Sequence, residues 1–201
     1  MTDHEPNPQA PSDHGEPEVY QRLDRVAGYP YPLRDYVRRM GWSIVQALLI
    51  RPSPGRAMGW RRFWLRLFGA KIGKLAGIRP STRIVHPWLL TLNDFAMLGE
   101  HVTVYNLGQV TLGEHSVVSQ NVHLCAGTHD YTKIGLPLIR AEITLGKGVW
   151  VCADAFIGPG VTVGDNTLVA ARSVVIKDTE SCVVIGGNPA RTIKPRPKPA
   201  A

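Results

Sequence analysis

Residues 145–177 read LGKGVW VCADAF IGPGVT VGDNTL VAARSV VIK, six-residue blocks that each open on an aliphatic side chain. A glycine or another small residue follows that side chain in all five complete blocks. A period of six fits neither the 3.6-residue α-helix nor a sheet of ordinary hairpins, but it fits a short strand followed by a tight turn. The pattern therefore predicts a coil with flat sides of six residues, each aliphatic residue pointing into its interior.

The same period extends upstream with regular breaks. Its aliphatic positions form four series: Ile72, Ile78 and Ile84; Leu92, Leu98 and Val104; Leu112, Val118 and Leu124; and Leu145, Val151, Ile157, Val163, Val169 and Val175. The first three series start 20 residues apart, which is two sides of six and one of eight. The step from Leu124 to Leu145 has thirteen residues more than the register needs, so we expect a loop at about 126–142. Since three sides close one coil, the sequence predicts an all-β fold, a parallel β-helix over residues 72–180.

The segments that flank the repeats differ from them in composition. Residues 1–18 contain Asp, Glu and Pro but no Lys or Arg, and we expect a disordered acidic tail. Residues 19–71 hold eleven Arg and Lys against two Asp, and they contain two helical patterns, one through Val37, Met40, Ile44 and Leu48 and one at about 56–68. Residues 181–201 form a C-terminal segment with a tail rich in Pro and Lys.

The basic, aromatic-rich extension has two interpretations that the sequence leaves open. Residues 33–71 can cap the open end of the β-helix, or they can contact an acidic membrane surface, and one helix can do both. Nucleic acid is not an expected partner, because no recognised binding module accompanies the positive charge. The chain starts with polar residues and has no long apolar run, which favours the cytoplasm or the inner face of the membrane.

The three cysteines, Cys125, Cys152 and Cys182, indicate neither a disulfide framework nor a metal site. No Cys-x-x-Cys spacing occurs, and the number is odd. We interpret them as small apolar residues in a reducing compartment.

Several motifs make the chain resemble the hexapeptide-repeat acyltransferases. They are Thr128-His129-Asp130-Tyr131, Gly148-Val149-Trp150-Val151, the stretches 158–166 and 171–178, and Gly186-Gly187-Asn188-Pro189-Ala190-Arg191. Together they resemble the sugar O-acetyltransferases of the galactoside, maltose and nodulation type. His86-Pro87-Trp88, Tyr105-Asn106-Leu107 and the N-terminal Arg/Trp stretch are more similar to the colanic-acid-type branch.

The resemblance implies a left-handed β-helix, a homotrimer with active sites between subunits, and acetyl-coenzyme A as the acyl donor. It implies an O-acetyltransferase that acts on a sugar hydroxyl in exopolysaccharide or lipopolysaccharide biosynthesis, with a nucleotide- or lipid-linked sugar as acceptor. An N-acetyltransferase for an amino sugar or a serine-type acceptor stays open, because it would use the same base and donor.

The resemblance also assigns catalytic and acceptor-site residues. His129 matches the family's catalytic histidine, and a histidine suits the task of taking a hydroxyl proton near neutral pH. Asp130 either orients that imidazole or forms a turn. Trp150 matches a tryptophan that lines the family's site. Asn106 matches an acceptor-site asparagine only with an offset of two residues.

Coenzyme A is expected along the coils that follow the loop. The residues carried over for its site are Ala153, Ala171, Ile176, Lys177, Arg191 and Lys194. The three cations can bind phosphate groups. Ala153 and Ile176 depart from the family, which more often has Ser or Gly at the first and Thr at the second.

Other functions and mechanisms fit the residues less well. A zinc carbonic anhydrase of this fold needs two histidines five apart, whereas His123 and His129 are six apart. A non-catalytic scaffold would tolerate the loss of His129, Lys177 and Arg191, and all three are present. Cys125 lies four residues before His129, so a Cys–His nucleophile is conceivable, although the family transfers the acetyl group directly.

Overall fold

The computed structural model describes Tyr20, Arg22 and residues 32–199. The predicted acidic tail at 1–18 lies outside the described residues, and so does most of 19–31. From Lys71 onward the chain winds through short strands that form three parallel sheets. Within residues 71–199, every complete coil runs through sheet A, then sheet B, then sheet C, and there are five such coils.

The strands of the three sheets have these bounds. Sheet A contains β1 (Lys71–Ile72), β4 (Leu90–Leu92), β7 (Val110–Leu112), β12 (Ile143–Leu145) and β15 (Thr162–Val163). Sheet B contains β2 (Gly77–Ile78), β5 (Met97–Leu98), β8 (Val117–Val118), β13 (Trp150–Val151), β16 (Leu168–Val169), β18 (Val183–Gly187) and β19 (Ala190–Pro195). Sheet C contains β3 (Arg83–Ile84), β6 (Thr103–Tyr105), β9 (His123–Cys125), β14 (Phe156–Ile157) and β17 (Val174–Val175).

The aliphatic residues of the repeat stack on one another inside the coil. In sheet A, Leu92 pairs with Leu112, Leu112 with Leu145, and Leu145 with Val163. All four side chains are buried. The glycine after the aliphatic residue is required by the close stacking of turns, since a Cβ on Gly113 would lie 2.5 Å from the carbonyl of Gly146.

The predicted loop at 126–142 is itself ordered. It contains an antiparallel hairpin of β10 (Gly127–His129) and β11 (Leu138–Arg140), in which His129 pairs with Leu138. A 3₁₀ turn at Pro87–Leu89 is the other irregular segment that bears on the site.

Two helices close the open end of the first coil. Helix α1 (Leu33–Val45) continues into a π-helical turn at Gln46–Ile50, and α2 (Met58–Leu67) follows. The Trp42 indole donates to Ile84 O at 2.7 Å, and Gln46 Oε1 accepts from Ile84 N at 2.8 Å. These bonds satisfy backbone groups of sheet C that no earlier coil covers.

Arginines of α2 do the same for sheets A and B. Arg61 is fully buried, and its Nε donates to Ile78 O at 2.6 Å. Arg62 donates to Ala76 O at 3.2 Å, and Arg66 donates to Ile72 O at 2.7 Å. The helices therefore act as a cap, and part of the positive charge of the extension is used inside the protein.

The apolar stripe that predicts α1 is not the face that packs on the coil. Trp42, Gln46 and Ile50 are buried, whereas Met40 and Leu48 are 61% and 67% exposed. Periodicity predicts the helix correctly, but it does not identify the buried face, because the cap uses indole, amide and guanidinium groups.

The C-terminal strands extend sheet B past residue 180, where the sequence predicts the repeat domain to end. Strand β18 pairs in parallel with β16, and β19 folds back antiparallel on β18. This hairpin lies at the opposite end of the solenoid from the helices.

Candidate active site

Part of the site predicted from the sequence, including His129, falls on one edge of the solenoid, the C–A edge, where sheet C turns into sheet A. His129 follows β9 of sheet C and precedes β12 of sheet A, so it lies on this edge. The segments 105–107, 158–160 and 176–178 make the same turn in other coils. Since successive strands are about 4.8 Å apart, residues 176–178 lie on the order of 10 Å from the coil of His129.

The His129 imidazole is exposed and held in one orientation by a backbone group. Its Nδ1 lies 2.6 Å from Leu136 O, across the turn of the hairpin. A carbonyl oxygen only accepts hydrogen bonds, so Nδ1 carries the proton and the neutral ring has its lone pair on Nε2. Nε2 has no hydrogen-bond partner among the described residues, and it can therefore accept a proton from a ligand.

Asp130 forms a turn and does not orient His129. Its Oδ1 accepts bonds from the Thr132 backbone N–H at 3.1 Å and from the Thr132 hydroxyl, and its Oδ2 lies 3.3 Å from Lys133 Nζ. The bonds from Thr132, with a smaller contribution from Lys133, hold the pKa of this carboxyl below its usual value. Of the two roles that the sequence leaves open for Asp130, the geometry supports the turn, because Leu136 takes the orienting position.

The Asn106 side chain is bonded within the fold, whereas the resemblance implies that it contacts the substrate. Its side chain is fully buried. Oδ1 accepts from His86 N at 2.9 Å, while Nδ2 donates to His86 O at 2.5 Å and to Leu89 O at 3.1 Å. These bonds hold the 3₁₀ turn against the C–A edge and leave the amide no free group for an acceptor.

Trp150 lies on the outer face of sheet B, far around the coil from His129. The indole is 44% exposed, and its Nε1 donates to Ser119 Oγ at 3.0 Å. In a triangular solenoid, sheet B is the side opposite the C–A edge. Within one chain, Trp150 and His129 therefore cannot contact the same small ligand.

Some of the residues predicted for coenzyme A are brought together at the end of the C–A edge. Ile176, Lys177 and Arg191 line a cleft of about 340 Å³ between the last coil and the C-terminal hairpin. Asp178 and Glu180 also line it, and Asp178 Oδ1 accepts from Thr162 N at 2.8 Å. All three predicted residues are exposed there.

The other predicted cofactor residues lie elsewhere. Ala153 and Ala171 occupy stacked turns between sheets B and C, the B–C edge, where Arg172 N donates to Ala153 O at 3.0 Å. Lys194 is exposed on β19 and pairs with Val184 at the end of sheet B. The predicted cofactor residues thus divide among the C–A edge, the B–C edge and the end of sheet B.

The structure also shows functional candidates that the sequence did not indicate. The orienting group of His129 is a backbone carbonyl, which no residue pattern reveals. On the outer face of sheet C, Tyr105, His123 and Phe156 form an aromatic ladder with ring centroids 6.3 and 5.6 Å apart. Burial, with a smaller contribution from the charge of Arg83, lowers the pKa of His123. Within the described ranges, no three His, Cys, Asp or Glu side chains are grouped so as to hold a metal ion.

Known proteins share both the repeat and a large part of the sequence. Residues 142–177 match the family described as bacterial transferase hexapeptide (six repeats). Over 155 residues the chain is 48% identical to the protein assigned as the colanic acid biosynthesis acetyltransferase WcaF of Escherichia coli K12, covering 77% of this chain and 85% of that protein. It is 30% identical over 129 residues to the galactoside O-acetyltransferase of the same organism, covering 62% and 63% of the two chains.

Solved structures with lower identity share the fold. The galactoside acetyltransferase in complex with coenzyme A has a TM-score of 0.75 at 23% identity, over 83% of this chain and 84% of that chain. The maltose O-acetyltransferase of Clostridium difficile 630 also has a TM-score of 0.75, at 21% identity, over 83% and 90%. The predicted left-handed parallel β-helix with an N-terminal helical extension is thereby confirmed.

Proposed function

Because this chain belongs to the hexapeptide-repeat acetyltransferases of the colanic-acid type, we propose that it transfers acetyl from acetyl-coenzyme A to a sugar hydroxyl in exopolysaccharide or lipopolysaccharide biosynthesis. The protein that is 48% identical to it is assigned to colanic acid biosynthesis, and the more distant relative is a galactoside O-acetyltransferase. The first relative supports a polysaccharide pathway, and the second supports a sugar hydroxyl over an amine as acceptor.

His129 is the general base in this proposal. The observation that carries it is the 2.6 Å contact between Nδ1 and Leu136 O, which fixes the tautomer with a free lone pair on Nε2. Nε2 takes the proton as the acceptor oxygen bonds to the thioester carbonyl carbon. Backbone N–H groups stabilise the resulting oxyanion. When the carbon–sulfur bond breaks, the imidazolium returns the proton to the departing thiolate.

The donor follows the C–A edge from His129 towards the C-terminal hairpin. The coil next to that of His129 turns at Gly158, Pro159 and Gly160. No bulky side chain of these residues therefore obstructs this path. Lys177 and Arg191, in the 340 Å³ cleft, supply positive charge for phosphate groups, and the exposed side of Ile176 supplies apolar contact. Lys194 adds a further cation on β19.

A homotrimer accounts for the division of the predicted site between two parts of one chain. Trp150, Ala153 and Ala171 lie on sheet B and the B–C edge, while His129, Ile176 and Lys177 lie on the C–A edge. If the C–A edge of one copy faces sheet B of the next, a single cleft contains both groups. A cyclic head-to-tail arrangement of three copies repeats this contact and closes.

The acceptor in this proposal is a nucleotide- or lipid-linked sugar, in keeping with a polysaccharide pathway. Contact with a membrane is a separate proposal, because it depends on the helical cap and not on the C–A edge.

The role of His129 can be tested with His129→Asn. Asparagine keeps an N–H near the position of Nδ1, so the bond to Leu136 O survives, but the basic Nε2 is lost. We expect calorimetric titration to give similar acetyl-coenzyme A affinities for wild type and variant. With a nucleotide-linked sugar that the wild type acetylates, kcat should fall by about 10²–10⁴-fold.

A matched control is His101→Asn, since His101 is an exposed histidine in a turn of another part of the solenoid. It should leave kcat unchanged. If wild-type protein fails to bind acetyl-coenzyme A, the acetyltransferase proposal is wrong. If His129→Asn binds the donor and turns over like wild type, another group is the base.

A further inference from the structure

The two helices of the cap present an apolar surface to solvent, which we call the outer helical face. It consists of Leu33, Val37, Met40, Ile44 and Leu48 on α1 and the π-helical turn, and Trp60, Phe63 and Leu67 on α2. Each of these side chains is at least 44% exposed. Scattered exposed apolar residues are ordinary on soluble proteins, but eight on one face indicate a binding surface.

This face points away from the solenoid. On α1, the exposed residues follow steps of three and four, on the side opposite Trp42 and Gln46, which bond to Ile84. On α2, Trp60, Phe63 and Leu67 lie opposite the buried Arg61 and Leu65. The inner sides of both helices contact the first coil, so the outer sides face outward from that end.

The two helices run side by side in opposite directions, as contacts at two places show. Trp60 Nε1 donates to Leu49 O at 2.9 Å at one end, and Trp42 contacts Phe68 at a ring distance of 5.3 Å towards the other. Trp60 and Phe63 stack at 6.4 Å within the surface. Large aromatic residues of this kind are typical of proteins that enter the interfacial region of a bilayer.

Positive charge lies at both ends of the outer helical face. Between residues 32 and 71 there are nine Arg and Lys and a single acidic residue, Asp35, which lies 3.7 Å from Arg34. Arg51 and Arg56 are exposed in the connection between the helices. Arg34 and Lys71 are exposed at the other end, near the start of α1 and just after α2, whereas the Arg38 guanidinium lies 4.1 Å over the Trp88 ring.

We propose that the outer helical face docks on an anionic lipid bilayer, with the apolar side chains in the interfacial region and the cations against lipid phosphates and carboxylates. A bilayer fits better than a second protein, because an apolar surface with cations at its two ends complements negatively charged headgroups. Among the described residues no helix has the length and apolar character to cross a membrane, so the contact is peripheral.

The proposed trimer would strengthen this contact, on the condition that the proposed function and its assembly hold. A cyclic arrangement about an axis parallel to the solenoids puts three caps at the same end of the assembly. Three faces that engage one surface bind more tightly than one, without any new contact. The contacts that build the active site use other sides of the coil, so the outer helical faces stay available.

Sedimentation of the full chain with vesicles tests the proposal. Vesicles of phosphatidylcholine with phosphatidylserine should bind wild type at low salt, and pure phosphatidylcholine should bind it much less. Phe63→Asp should reduce the partition coefficient on the order of tenfold or more. The variant loses an aromatic side chain that the bilayer would bury, and it gains a negative charge that anionic headgroups repel. Arg51→Gln with Arg56→Gln should reduce it by roughly fivefold per charge and weaken its salt dependence.

Phe95→Asp is the matched control, since Phe95 is an exposed aromatic in the second coil of the solenoid and is not part of the outer helical face. It should bind vesicles as wild type does. Lack of wild-type binding to anionic vesicles at low salt overturns the proposal, as does unchanged binding by Phe63→Asp. A lower oligomer mass for Phe63→Asp without lipid, measured by light scattering, also overturns it, because a second copy then covers the face. Acetyl-coenzyme A titration of the same samples reports separately on the donor site.

Discussion

The three polar residues predicted near the reacting atoms differ in what their polar atoms already contact. His129 uses Nδ1 for Leu136 O and keeps Nε2 for a ligand. Asp130 is bonded within its own turn, and Asn106 bonds backbone groups of the 86–89 segment. One residue of the three is therefore available for chemistry, and the other two build the turns around it.

Cys125 is the last residue of β9, four residues before His129, and its thiol contacts a backbone carbonyl and not the imidazole. Its side chain is half-buried, and its Sγ is 3.4 Å from Gly127 O. Serine has nearly the same shape and can donate to the same carbonyl. We expect Cys125→Ser to change kcat by less than about threefold and to bind acetyl-coenzyme A normally.

Mass spectrometry of protein mixed with acetyl-coenzyme A tests whether Cys125 becomes acetylated. Direct transfer leaves Cys125 unmodified. An acetylated Cys125 in wild type, together with lost turnover in Cys125→Ser, would establish a covalent intermediate and overturn the proposed direct transfer.

Short strands and their register are the elements that the sequence predicts best. The aliphatic hexads fix which residue faces the interior, and Leu92, Leu112 and Leu145 do stack inside the coil. The excess of thirteen residues locates the loop, because only a departure from the solenoid can absorb it without loss of register. The hairpin inside that loop has no such periodic signal, so the partner of His129 was not predictable.

The cap was predictable as helical but not in its packing. An apolar stripe normally marks the buried face of a helix. Here the uncovered backbone groups of the first coil need polar partners, and Trp42, Gln46 and Arg61 provide them. The same requirement explains why the stripe is left outside, and why a buried arginine is found where hydropathy would predict an aliphatic residue.

Arg61 is the central residue of the cap and gives a test at this scale. Its guanidinium donates to Ile78 O, Pro54 O and Gly55 O as well as to the Ser53 hydroxyl. Burial lowers the pKa of Arg61, because the charged guanidinium loses its contact with water. The hydrogen bonds to these acceptors offset that loss of solvation. Arg61→Leu leaves those acceptors unpaired, and we expect the free energy of unfolding in urea to fall by about 3 kcal/mol or more.

Arg62→Leu is the comparison for that measurement. Arg62 is half-buried and makes one bond of 3.2 Å, to Ala76 O. We expect its loss to lower the free energy of unfolding by about 1 kcal/mol or less. Equal effects of the two substitutions would mean that the buried carbonyls near Arg61 find water in its absence, and that the cap does not depend on it.

The path of the chain around the solenoid separates two parts of the predicted site, and this separation is visible only at the scale of the whole molecule. Each coil turns the chain through three sheets, so residues on sheet B and on the C–A edge are separated by the body of the solenoid. Trp150 and His129 are on these two parts. If both act in one site, each site takes its tryptophan and its histidine from different copies.

Mixed oligomers of two inactive variants test this arrangement. His129→Asn removes the proposed base, and Trp150→Ala removes the indole from the opposite side, so each variant alone should have low kcat. In a trimer assembled from equal amounts of the two, a site is intact when its histidine comes from the Trp150→Ala copy and its tryptophan from the His129→Asn copy. Random head-to-tail assembly gives about a quarter of the sites this composition, and activity should recover to about that fraction.

The recovery requires subunits that exchange or are co-expressed, so variants mixed without exchange provide the control and should stay inactive. Two copies of the same variant never form an intact site, whichever way they are arranged. Co-expressed variants that remain as inactive as the separate ones, in trimers shown by mass to be mixed, would place both residues' function within one chain. Because the topology of the coil keeps Trp150 and His129 of one chain apart, that result would mean that Trp150 is not part of the active site.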